Sequence, residues 1–89
     1  MNTKFESEVL NMDKGVLYMM YDAVAEKFSP CVEYPNDNVA RLVCENKMKF
    51  PEWVKDNDFQ LIRIGQREGT VLQQLEPQVV WSFTASKDN

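Results

Sequence analysis

Tyr18-Met19-Met20-Tyr21-Asp22-Ala23-Val24-Ala25-Glu26-Lys27-Phe28-Ser29-Pro30 is the stretch that decides the fold. With the residues before it, it makes Val16–Tyr21 apolar without a break. Periodicity does not separate strand from helix in such a run, but its shortness and its tyrosines fit a buried strand. Val24–Tyr34 follows with no room for a helical crossover, so the natural connection is an antiparallel hairpin. Its turn falls around Asp22–Glu26 and lacks glycine, which leaves the turn type open. Pro30 has no N–H for a ladder, so the second strand is expected at a sheet edge or bulged there.

Beyond the hairpin, Pro35-Asn36-Asp37-Asn38 carries helix-start chemistry. Asn and Asp side chains accept from the free N–H groups of a first turn, and an acid suits the positive end of the dipole. The helix is expected over Val39–Lys47, with Val39, Leu42 and Val43 on one face and Ala40 and Cys44 beside them. Lys47 and Lys49 fall near its negative end, and Pro51 forbids its continuation. Phe59–Ile64 reads as the third strand, ended by Gly65, and Gln66–Gly69 as a turn into Thr70–Leu75. Pro77 punctuates before Gln78–Phe83, where Val79, Trp81 and Phe83 share one face at period 2. The expected fold is α+β, in the order β-β-α-β-β with a terminal strand, one helix packing on a mainly antiparallel sheet. Residues 14–84 form the single domain, flanked by a flexible arm over residues 1–13 and a polar tail over 85–89. Phe5, Val9 and Leu10 suit a short amphipathic helix or a loose arm equally.

With 89 residues the chain makes one domain. Its formal net charge is −4, so attraction to a phosphate backbone needs a local basic patch. Two cysteines, Cys31 and Cys44, are too few for a disulfide framework and read as buried thiols. There is no histidine to complete a zinc site. No apolar run approaches the ~20 residues of a membrane helix, and no signal-peptide pattern is visible, so a cytoplasmic location is expected.

Tyr21-Asp22-x-x-Ala25-Glu26-x-Phe28-x-Pro30, then Asn36 and Ala40-Arg41, then Asp58-Phe59-x-Leu61-x-x-Ile64-Gly65 with Gly69 beyond, resembles a viral family. It is similar to the small nonstructural proteins of gokushoviruses, tailless single-stranded DNA phages of the Microviridae. The likeness spans Val16 to Pro77. Ala40 and Arg41 are adjacent where that family has a residue between them, and Pro30 is slightly displaced. The resemblance implies a non-capsid protein of the host cytoplasm, acting in genome replication around the switch to packaging single-stranded circles. DNA binding is the role it implies.

Catalysis is not expected. Asp22, Glu26, Glu33 and Glu45 form no paired motif, Cys44 has no partner base, and Gly65 and Gly69 do not make a phosphate loop before a helix. No metal, cofactor or small-molecule substrate is expected either. For single-stranded DNA the candidates are Arg41, Lys47, Lys49, Arg63 and Arg67, with Tyr21 among the aromatic platforms. Arg63 is the most suggestive, as it projects from the opposite side of its strand to Ile62 and Ile64. The competing reading makes the aromatics core and the charges rim. Val79, Trp81 and Phe83 are the candidate seam of a homodimer, which would remove an open sheet edge. A different class of function is an acidic protein-interaction module that binds a host or viral protein without touching DNA.

Overall fold

The structure is a computed structural model and describes residues 13–85. The arm and tail expected at the termini lie outside the described residues, apart from Asp13 and Ala85. The elements are β1 (Lys14–Asp22), β2 (Lys27–Phe28), β3 (Val32–Tyr34), α1 (Asp37–Asn46), β4 (Phe59–Glu68) and β5 (Val71–Ser82). Every pairing is antiparallel, in the order β2-β1-β4-β5, with β3 beside β2 on the same edge of β1. This is the α+β arrangement of one helix on a mainly antiparallel sheet.

β2 and β3 are the two halves of the expected second strand. From Tyr18 to Tyr21 the partner strand advances from Val32 back to Phe28, one residue more than β1 does. The surplus lies at Pro30, and the Ser29 hydroxyl stands in for the lost ladder: it accepts from the Met20 N–H at 2.8 Å and donates to the Pro30 carbonyl at 2.9 Å. The preceding turn is held by Asp22, whose Oδ1 accepts from the N–H groups of Val24 and Ala25 at 3.0 and 3.1 Å. Glu26 completes it at φ 58°, a left-handed conformation that usually falls to glycine or asparagine.

Asn36 caps α1, accepting from the Val39 N–H at 2.9 Å, and Asp37 occupies the first turn. The helix therefore starts two residues before the position its apolar periodicity indicates. It buries Ala40 and Cys44, whereas Leu42 is 59% exposed. Small side chains at those two positions let the helix sit close to the sheet. The apolar stripe was wider than the contact it makes.

Two expected boundaries disappear. β4 runs through Gly65, and β5 runs through Pro77, so Thr70–Leu75 and Gln78–Phe83 are one strand. Gly65 is needed for close approach, because a Cβ there would lie 2.7 Å from the Gln73 carbonyl oxygen. Pro77 is tolerated because β5 is an edge and its pairing with β4 is irregular between Arg63 and Gly65. The reversal falls instead at Gly69, with φ 62°.

The helix side of the sheet carries Tyr18, Leu61 and Trp81, which with Ala40 and Cys44 form the core. Phe50, from the connector after α1, packs among Phe59, Trp81 and Phe83 with ring centroids 5.0, 5.8 and 5.1 Å away. The Trp81 indole N–H donates to Glu45 of the helix at 2.8 Å.

Candidate functional site

Arg63 projects toward the helix. Its Nη1 donates to Asp37 Oδ2 at 2.7 Å and its Nη2 to Gln78 Oε1 at 2.6 Å, while its buried Nε faces no acceptor. The second oxygen of Asp37 accepts from the Tyr18 hydroxyl at 2.6 Å. Burial, followed by this carboxylate, pushes the Tyr18 hydroxyl well above the usual phenol range. The residue expected to be the prime phosphate contact is therefore already paired with a carboxylate. Arg41 lines the same cleft, of about 570 Å³, together with Asn36, Asn38 and Gln66. It donates to the Val80 carbonyl at 2.9 Å and to Asn38 Oδ1 at 3.0 Å, and no described carboxylate pairs with it.

Arg67 lies on the opposite side of the sheet, at the far end of β4. All five of its N–H donors are used: Nε and Nη2 on Glu33 at 2.8 and 2.6 Å, Nη2 on Asp13 Oδ1 at 3.0 Å, and Nη1 on the Gly69 and Asp13 carbonyls at 2.6 and 3.3 Å. The hydrogen bonds from Arg67 hold the Glu33 and Asp13 carboxyls below the usual carboxylate range. In this arrangement no donor of Arg67 is left for a phosphate. Two acids that are 20 residues apart in the chain meet here, but both are held ionised. General acid catalysis would need one of them raised instead.

Lys47 and Lys49 stand exposed at the far end of α1, and both are free of described carboxylate partners. A ten-residue helix spans about 15 Å, so these lysines and Arg63 do not converge on one groove. Lys49 instead rims an apolar groove of about 440 Å³ between Met20, Val32, Met48 and Phe59.

Tyr21 is on the side of the sheet away from the helix, its ring 4.8 Å from that of Phe28. The same side carries Leu17, Met19 and Ile62, as the cross-strand pairs Met19↔Ile62 and Tyr21↔Gln60 require. Val79 joins them, since it pairs with Ile62, whereas Trp81 pairs with Leu61 and faces the helix. The expected seam of Val79, Trp81 and Phe83 is thus divided. Trp81 and Phe83 belong to the core cluster, and Val79 alone is 46% exposed on the other face. No described element lies on that face. Its apolar row was missed as a site, although the unbroken apolar run of β1 signalled it, because such a strand is apolar on both sides.

Cys44 is buried and Cys31 is exposed, which corrects the expectation of two buried thiols. Among the described residues no helix is long and apolar enough to cross a membrane, and no three Cys, Asp or Glu side chains gather as a metal site. No family model, curated protein or solved structure matches the chain.

Proposed function

We propose that this chain acts by binding, without catalysis, and that its working surface is the open face of the sheet, which takes another protein during viral genome replication. One observation carries the reading. Leu17, Met19, Tyr21, Phe28, Ile62 and Val79 form a contiguous apolar row on a face that no described element covers. Apolar rows of this kind, rimmed by polar groups, mark protein contacts. The viral setting rests on the motif resemblance around Tyr21–Pro30 and Asp58–Gly65. A photo-crosslinking residue at Tyr21 is expected to capture a protein in cells replicating a single-stranded DNA phage, and one at the exposed Trp53 is not. Absence of any protein adduct at Tyr21 overturns the reading.

Single-stranded DNA is the second reading, favoured by Arg41, Lys47 and Lys49, which keep their charges unpaired among the described residues. It predicts salt-sensitive binding of a short fluorescent oligonucleotide, weakened at least tenfold when all three become alanine. No anisotropy change at low salt removes it.

A further inference from the structure

We infer that the occupant of the open face is a second copy of this chain, packed sheet against sheet about a two-fold axis. The inference rests on the reading of that face as a protein-binding surface.

A sheet that is apolar on one side needs a layer on that side. β1 is apolar on both, with Tyr18 and Met20 toward the helix and Met19 and Tyr21 away from it, and α1 supplies a layer to only one of them. The dimensions of the face select the second layer. Four strand positions at about 4.8 Å, over nine residues of β1 at about 3.3 Å, project to roughly 19 by 30 Å. Side-chain relief adds to that area, which brings a full contact near the ~800 Å² per partner of a standard interface. A single helix, about 10 Å across, covers half the width. Another sheet covers all of it, at the ~10 Å spacing of sandwiches.

The polar groups around the row permit self-association. At one end the Gln60 amide donates to the Ser82 hydroxyl at 3.2 Å. At the other, Arg67 is saturated by Glu33, Asp13 and Gly69. No donor of Arg67 is left to be desolvated when two copies meet, and the one surplus negative charge of its cluster lies at the rim, where the Asp13 side chain is 68% exposed. The edges are less suited to pairing, because Pro30 interrupts one and Pro77 the other. The seam is therefore the face, centred on Met19, Ile62 and Val79.

Light scattering on the full purified chain tests this. The wild type is expected at twice the chain mass at about 100 μM. Met19→Lys and Ile62→Lys are expected to raise the dissociation constant at least 100-fold while keeping the wild-type circular dichroism. Leu42→Lys, at an exposed position of α1 on the other side of the sheet, should leave the dimer intact. A photo-crosslinker at Tyr21 should join two chains in the purified protein, a readout that does not depend on the lysine variants folding. A single-chain mass for the wild type, a dimer that survives both lysines, or loss of the dimer in Leu42→Lys overturns the inference. A monomer whose Tyr21 probe captures a different protein in cells overturns it too, yet leaves the proposed function standing.

Discussion

Val79 and Trp81, two residues apart on one strand, point to opposite faces of the sheet. In a regular strand they would share a face. Here Trp81 pairs with Leu61 and Val79 with Ile62, so β5 spends one residue more than β4, and the surplus is Val80. The Arg41 guanidinium holds the bulge by donating to the Val80 carbonyl at 2.9 Å. The division predicts unequal substitutions. Trp81→Ala removes the centre of the aromatic cluster and is expected to cost about 3–5 kcal/mol in urea unfolding. Val79→Ala is expected to cost less than about 1 kcal/mol, measured at dilution where copies separate.

Asp37 ties the first turn of α1 to two strands, through Tyr18 at 2.6 Å and Arg63 at 2.7 Å. The Arg63–Asp37 pair is about a quarter exposed, at 28% and 24%. Its removal should therefore fall between the ~0–1 kcal/mol of surface pairs and the ~3–5 kcal/mol of buried ones. Asp37→Ala is expected to cost about 2 kcal/mol, and Tyr18→Phe about 1 kcal/mol. Because both act through the same carboxylate, a double-mutant cycle should show that the two losses do not add.

The Arg67 cluster predicts a pH dependence. Arg67 lowers Glu33 and Asp13 in the folded state, so their contribution is present above the ordinary carboxylate range and is lost as pH falls through the lowered values. Arg67→Met should be less stable than wild type at pH 7. The gap should close as pH drops from about 5 toward 2, followed by thermal unfolding. A gap that widens on acidification would contradict the assignment.

The two thiols should differ in reactivity. Burial and the adjacent Glu45 push the Cys44 thiol up to about 11, while Cys31 is exposed. At pH 8 a thiol-specific chromophore is expected to label one cysteine per chain rapidly, and the second only in denaturant. Cys31→Ser should abolish the fast phase.

Much of the fold was legible because its signals are local. The Asn36 cap, the Pro30 interruption and the Asp22 turn each work through contacts within a few residues, and each lies where its residue types place it. The Tyr21-Asp22-x-x-Ala25-Glu26 segment itself turns a hairpin: Asp22 supplies the acceptor and Glu26 the left-handed residue. Gly65 and Pro77 misled because both commonly end strands, and only the pairing with Gln74 and the edge position of β5 show why neither does.

The candidate site was less legible. Arg63 and Arg67 looked alike as basic residues on one strand, yet their partners are Asp37, 26 residues away, and Glu33, 34 away. No local pattern foretells such pairs, because charge neutralisation depends on what the fold brings alongside. Residue types and short-range chemistry were enough to establish the α+β class, the hairpin, the helix start and the apolar nature of β1. Tertiary structure alone decided which face α1 covers, which arginines keep a free charge, and that Val80 bulges to turn Val79 away from Trp81. Those outcomes are set by register and long-range pairing, which a linear pattern does not encode.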